Sequence, residues 1–458
     1  MRFLSARPLL GRAGVIAVAL AAGSASFASP AFAGAASASG GVSATGGVSA
    51  TPANGTPQLT PPTGKRATET VRQLVKCSNL IYAVGDFKTI SQSGKTHTRN
   101  NIFSFSASPP YTLSNMLVDV NGPVNSIAFT RHRGCADAYI GGSFTSVHGT
   151  AAKNIAEINT STGAVVTSFG RFSNGTVNTL IGFNNHLLAG GSFTKTNGYG
   201  RNYYASLNPF SGKDDGFLRL RISGAVPDGP TKIYNQQLSH SGNLLLVEGN
   251  FTSAGEQPRQ QIFMTNLTGS TASVTGWTSP EFSQHCISSE SFYLRAAAWS
   301  PDDSTIYTAA NGFHPLNWTK GSFPLTGLCD TAAAFPATQR SVSHTWIEYS
   351  GCDSYYSVAA DASNVYVAGH PRWAENQNGC NNAGPGAVPD KGLQGLDAGT
   401  GHVLLNSGGS PVYTMARANA DDMTFTSAGL WIASSNRFNS DTCGGISGHS
   451  GICLLPNT

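Results

Sequence analysis

The stretch Gly369-His-Pro-Arg-Trp-Ala-Glu375 brings an imidazole, a guanidinium, an indole and a carboxylate close together in the chain. Trp373 could offer a flat apolar platform while Arg372 and His370 make directed polar contacts, a combination suited to a sugar or an acidic group. The same residues also admit a purely structural reading. Trp373 would then be a wedge between neighbouring layers, and Arg372 and His370 would tie down the long loop that runs through Asn382 to about Pro389. Arg295, with Tyr293 beside it, and the pair Asp421-Asp422 belong to the same set. Asp421 could pair with Arg295 or Arg372, or the two aspartates could simply cap a turn or strand.

Reaction signatures are missing from the chain. There is no Gly-x-Ser-x-Gly elbow, no His-Glu-x-x-His, no Walker loop, no dinucleotide fingerprint and no calcium-loop spacing, so no cofactor is expected. A carboxylate pair for sugar hydrolysis, or a Tyr or His base beside Arg295 or Arg372 for a lyase, stays open, because in a repeat protein such partners come from distant parts of the sequence. The formal charge of +4 includes Arg2, Arg7 and Arg12 at the start; without them it falls to about +1. That balance gives no electrostatic reason to expect nucleic acid or an anionic membrane as a partner.

Eight cysteines without a Cys-x-x-Cys pair point to disulfides and to no metal site. Cys77 and Cys135 stand in matching places of adjacent repeats, and Cys443 and Cys453 close a short loop. Cys286 with Cys329 and Cys352 with Cys380 are favoured for the rest; Cys286 with Cys352 is the main alternative.

The elements that must position these residues are set by a phrase stated seven times: an apolar run, one or two small residues, then an aromatic. It reads Ile81-Tyr-Ala-Val-Gly-Asp-Phe87, Ala138-Tyr-Ile-Gly-Gly-Ser-Phe144, Leu187-Leu-Ala-Gly-Gly-Ser-Phe193 and Leu245-Leu-Val-Glu-Gly-Asn-Phe251, then more loosely 306–313, 365–373 and 430–438. Taking Gly85, Gly142, Gly191, Gly249, Ala310, Gly369 and Ser434 as equivalent gives spacings of 57, 49, 58, 61, 59 and 65. A period of this size defines the fold. In the second copy Val124 to Phe129, Ala138 to Phe144, Asn154 to Ile158 and Ala164 to Phe169 alternate as four antiparallel strands, with 146–152 as a loop. The expectation is an all-β, seven-bladed β-propeller of four-stranded antiparallel blades spanning 67–458. The last copy lacks a fourth strand, so the N-terminal part of the folded region, just before Val71, is expected to complete it.

Residues 1–33 read as a signal peptide, with a basic start, a short apolar run and a cut after Ala33, and 34–66 as a low-complexity flexible leader. The chain is therefore expected to be secreted, with no membrane insertion.

With Val-Gly-Asp-Phe87, Gly-Gly-Ser-Phe144 and Asn154-Ile-Ala-Glu-Ile-Asn-Thr-Ser-Thr-Gly163, the first four copies resemble secreted bacterial β-propeller proteins of the delta-sixty repeat type. The later half, with Leu328-Cys-Asp-Thr-Ala-Ala333, Tyr356-Ser-Val-Ala359 and Gly384-Pro-Gly-Ala-Val388, is similar to a subset exported by actinobacteria. The resemblance covers most of 75–435 and departs from Cys443 onward. It implies the fold and export, and no established catalytic role. The functional expectation is non-catalytic recognition of an extracellular glycan or cell-envelope component by a monomer, through His370, Arg372, Trp373, Arg295 and Asp421. The alternatives are a polysaccharide lyase or glycoside hydrolase, and a structural surface protein.

Overall fold

A computed structural model describes residues 47–60, 68–226, 229–415, 420–436 and 442–458. The signal peptide at 1–33 and the leader up to residue 46 lie outside the described residues, as do 61–66. Apart from two 3-10 turns, Pro280–Ser283 and Ser288–Glu290, the regular elements are short strands.

Seven antiparallel meanders follow one another among the described residues. Their first strands are Thr70–Cys77, Val124–Ala128, Val177–Phe183, Lys232–Leu238, Tyr293–Trp299, Tyr355–Ala360 and Ala420–Thr426. Each pairs with a second strand, and that with a third, from Ile102–Ser106 in sheet 1 to Ile452–Pro456 in sheet 7. Each first strand packs beside the first strands of the sheets before and after it, and that of sheet 7 lies against that of sheet 1. The apolar core is divided in the same way, into seven clusters that each fill the space between two neighbouring sheets. One cluster joins Trp431, Ile452 and Leu454 of sheet 7 to Val71, Leu74 and Phe103 of sheet 1.

Every first strand carries a bulge near its start. The residue before the bulge pairs each time with the small residue taken as equivalent in the sequence: Val71 with Gly85, Val124 with Gly142, Val177 with Gly191, Ile233 with Gly249, Leu294 with Ala310, Tyr355 with Gly369 and Ala420 with Ser434. The bulge swings the preceding carbonyl inward, so a Cβ at Gly191 would lie 2.1 Å from Thr176 O and one at Gly249 2.2 Å from Lys232 O. Glycine at these positions therefore answers to the bulge in the partner strand.

The expectation of four full strands per sheet needs correction. Sheets 4 and 5 have a fourth, at Ser273–Val274 and Trp346–Tyr349. In sheets 1, 2, 3 and 6 single bridges take its place, such as Phe105 to Leu113 and Ile158 to Val165. The residues after the third strand are spent on turns: Asn159 Oδ1 accepts from the amides of Ser161 and Thr162, leaving few extended residues to pair. The segment 146–152, read as a loop, is instead a small hairpin of Ser146–Val147 with Thr150–Ala151, turned by His148 and Gly149, both with positive φ.

Residues 47–60 overturn part of the leader reading. Val48 bridges Asn457, Ser49 N–H donates to Pro456 O (2.7 Å), and Ala53 N–H donates to Leu454 O (2.8 Å). This stretch therefore lies along the open edge of Ile452–Pro456, with Val48 and Leu59 buried. The N-terminal part does complete sheet 7, but from 48–53 rather than from just before Val71. Low complexity did not prevent ordering, because every second or third residue of 48–59 finds a backbone or apolar partner on an existing edge.

The disulfides are Cys77–Cys135, which joins sheets 1 and 2, and Cys286–Cys329, Cys352–Cys380 and Cys443–Cys453, with no free cysteine among the described residues. Four such bridges fit an oxidising compartment. No helix among the described residues is long and apolar enough to cross a membrane.

Candidate functional site

A β-bulge re-aims one side chain. Here the seven re-aimed residues are Arg72, Asn125, Asn178, Tyr234, Arg295, Tyr356 and Asp421, one per sheet. Each reaches toward a neighbouring sheet. Arg72 Nη1 donates to Asn125 Oδ1, Asn125 Nδ2 to Val177 O (3.2 Å) and Asn178 Nδ2 to Ile233 O (2.7 Å). Arg295 lies over the Tyr356 ring, 5.2 Å from its centre, and Asp421 feels both Arg72 and Arg295. Five of the seven are buried, with Asn178 and Asp421 at 2 % exposure and Arg295 at 7 %; Arg72 and Tyr356 are half-buried.

Sheets 4 to 6 build the richest part of this circuit. Lys232 Nζ sits 5.0 Å from the Tyr234 ring centre, Tyr234 meets Tyr293 edge-on at 5.9 Å, and Arg295 covers Tyr356. Tyr356 Oη in turn bonds His370 Nε2 at 3.0 Å. Two cations and three phenol rings thus form two groups, Lys232–Tyr234–Tyr293 and Arg295–Tyr356–His370, in which the rings stabilise the charges and leave polar atoms at their rims. Burial, and secondarily the nearby Arg295, lower the Lys232 pKa. Burial pushes the Asp421 carboxyl up to about 7 against the opposing pull of Arg72 and Arg295. Asp421 Oδ1 and Asn178 Oδ1 are buried acceptors with no hydrogen-bond partner among the described residues.

The residues expected from sequence separate into distinct roles. Arg295 and Asp421 are members of the circuit, and His370 joins it through Tyr356. Arg372 is engaged elsewhere: its Nε and Nη2 grip Asp353 at 2.7 and 3.0 Å, and Nη2 also donates to Asn381 Oδ1 at 2.7 Å. That bidentate clasp anchors the long loop. Burial opposes ionisation of Asp353, but His370 and Arg372 outweigh it and hold the carboxyl below its usual range. Asp421 feels the charge of Arg72 first and of Arg295 second, while Arg372 is engaged by Asp353.

Trp373 is neither part of the circuit nor a wedge. The buried aromatics Phe87, Phe144, Phe193 and Phe251 stand two residues after the paired glycine, a place that Pro371 takes in sheet 6. Trp373 instead pairs with Pro389 in the small hairpin Trp373–Ala374 with Val388–Pro389, where other sheets have Thr89, Ser146, Lys195 or Ser253. Its indole N–H is buried without a hydrogen-bond partner.

Asp422, one residue past the bulge, has a joining role. Its Oδ2 accepts from Leu74 N–H of sheet 1 at 3.0 Å. Gln73 Oε1 does the same for Ile127 N–H (2.7 Å), and Ser126 Oγ for Leu180 N–H (3.0 Å). Asp422 thus links sheet 7 to sheet 1 as its counterparts link sheets 1 to 2 and 2 to 3.

Arg72, Asn125, Asn178, Tyr234 and Tyr356 escaped the sequence reading. Their signal is a polar or aromatic residue directly after the apolar residue that opens each first strand, as in Val71-Arg72, Val124-Asn125 and Val177-Asn178. A bulge cannot be read from periodicity, because it breaks the alternation that marks a strand. Among the described residues no cluster of three or more His, Cys, Asp or Glu could hold a metal ion.

The chain matches no protein-family model, and no curated protein matches it. Among solved structures it is similar to the computationally designed Ika8 protein, at 9 % identity over 87 % of this chain and 98 % of that one, with a TM-score of 0.44.

Proposed function

We propose that this chain is an exported seven-bladed β-propeller of the delta-sixty repeat type whose bulge-bearing end binds an acidic extracellular glycan or cell-envelope polymer without cleaving it. The observation that carries the reading is the pair of contact groups Lys232–Tyr234–Tyr293 and Arg295–Tyr356–His370, with the charge of Arg295 felt at Lys232 and Tyr234. Cations beside phenol rings suit a pyranose ring bearing a carboxylate: the rings take its apolar face and the cations its charge. The closed order of sheets and the division of the core into seven inter-sheet clusters support the propeller architecture. Four disulfides support export.

The test is retention of the oxidised protein on immobilised polygalacturonate against neutral dextran. Retention on the acidic polymer alone is expected, weakened about tenfold or more by Arg295→Ala, since a charge-assisted contact is worth about 1.5–3 kcal/mol. Equal retention on both polymers, or an unchanged Arg295→Ala variant, would remove the acidic-glycan reading.

The Tyr356 and His370 pair favours one second reading, a lyase. In that reaction a base removes the proton α to the uronate carboxylate, the glycosidic oxygen departs with its electron pair, and a carbon–carbon double bond forms. Arg295 would neutralise the carboxylate. Burial raises the Tyr356 pKa, with Arg295 opposing it, which works against a phenolate base at neutral pH. Release of the unsaturated chromophore from polygalacturonate would replace binding by catalysis. Hydrolysis by Asp421 and Asp422 is disfavoured, because Asp422 is committed to the backbone of sheet 1.

A further inference from the structure

We propose that the other end of the same first strands holds a second binding site, for an amphiphilic organic anion with an apolar body and one carboxylate or sulfonate head. The turns joining first to second strands in sheets 1 to 4 surround a cavity of about 890 Å³. That volume lies in the range of small-molecule sites. It is remote from the bulges, since Arg72 opens the strand that ends at Cys77 in the cavity wall.

The lining divides by chemistry. Phe129, Phe183 and Phe217 supply an aromatic floor, and Lys76 and Arg131 supply positive charge. No Asp or Glu is among the described residues that line the cavity. The chain as a whole is nearly balanced in charge, so a cavity with two cations and no Asp or Glu among its described lining residues, the nearest carboxylates being engaged by His186 and Ser241, favours anions.

His186 adds a directional contact. Its ring stacks on Phe217 with centroids 4.2 Å apart, and its Nδ1 bonds Asp215 Oδ2 at 2.8 Å. The carboxylate holds the imidazole in one orientation, leaving Nε2 as the second polar atom of a ring that lines the cavity. The floor is also fixed in place: the Cys77–Cys135 disulfide crosses the wall, and a Cβ on Gly182 would lie 1.9 Å from Phe129 O, so these two turns cannot close up or part easily. A rigid aromatic floor with cations at one side is preorganised for an amphiphile and loses little freedom on binding.

The experiment titrates the full oxidised chain with the fluorescent anion anilinonaphthalene sulfonate, then competes it with laurate or with lauryl alcohol. Saturable binding of one probe per chain is expected, displaced by laurate and at least about tenfold less effectively by the alcohol, which lacks the charge. The double variant Lys76→Ala with Arg131→Ala is expected to bind the probe at least about tenfold more weakly; Arg131 is exposed, so its loss leaves the fold intact. Absence of saturable binding, equal displacement by acid and alcohol, or unchanged affinity in a double variant of wild-type melting temperature would each overturn the proposal.

Discussion

A chain that begins at residue 61 is expected to melt about 6–12 °C below one that begins at residue 47, and to aggregate on storage. Removing 47–60 takes away Val48 from the cluster between sheets 6 and 7 and Leu59 from the cluster between sheets 7 and 1. Each side chain is worth about 1.5–3 kcal/mol of burial, and in a chain of this size one kcal/mol moves the midpoint by roughly 2 °C. The larger consequence is chemical. Ile452–Pro456 would expose an unpaired edge, the template from which intermolecular sheets grow. Scanning fluorimetry and light scattering on the two chains measure both effects; identical midpoints with no change in scattering would mean that 47–60 contributes nothing to the fold.

That segment also marks a boundary of what sequence could convey. The strand order was legible from the Gly-containing phrase, because close backbone approach at Gly85, Gly191 or Gly249 leaves few residue types possible. Four strands per sheet were not, since a single bridge such as Ile158 to Val165 leaves no periodic trace. The ordering of 48–53 depends on an edge contributed from some 400 residues away, and no local composition reports it. At the site, Arg295 and Asp421 stood out as charges in apolar surroundings. Asn125 and Asn178 did not, because only the bulges turn them toward their neighbours.

Stability is expected to peak near pH 4–5 and to fall toward pH 8, opposite to the rise most proteins show on leaving acid. Burial is the leading cause that pushes Glu248 and Asp390 up to about 8, and Glu157, Asp421 and Asp422 up to about 7. In the unfolded chain these carboxyls titrate near 4. Between those values the folded chain holds protons that the unfolded chain has released, so unfolding becomes easier as pH rises. Their contribution is fully present below about pH 4 and is lost by about pH 8, with Glu248 and Asp390 the last to give it up. Asp302, Asp353 and Asp397 are held low and act with the opposite sign, losing their contribution as the pH falls below about 4. The two groups together place the optimum in mild acid.

Thermal melts at pH 5 and pH 8 are expected to differ by about 5 °C or more, given about 1.4 kcal/mol for each unit of displacement. Glu248 is fully buried and burial outweighs the nearby Asn235 amide, so Glu248→Gln is expected to shrink the difference by removing the group that must ionise. A midpoint that rises from pH 5 to pH 8 would mean that these carboxyls are ionised and solvated in the folded chain.

Of the four disulfides, Cys77–Cys135 alone joins two sheets, and sheets 7 and 1 are also not consecutive in the chain. Cys77–Cys135 crosses from sheet 1 to sheet 2, while sheets 7 and 1 are held by non-covalent contacts: Asp422 on Leu74 N–H, the Thr70–Ser435 bridge, the Glu69–Asn436 hydrogen bonds and the apolar cluster around Trp431 and Leu59. On the other side of sheet 7, facing sheet 6, Thr458 N–H donates to Gly47 O at 3.1 Å. In a chain begun at Gly47, a short peptide bridging those two residues would make the polypeptide circular, and a new break could then be opened in an exposed turn. The order in which the sheets are written in the chain is therefore one of several that the same folded object would accept.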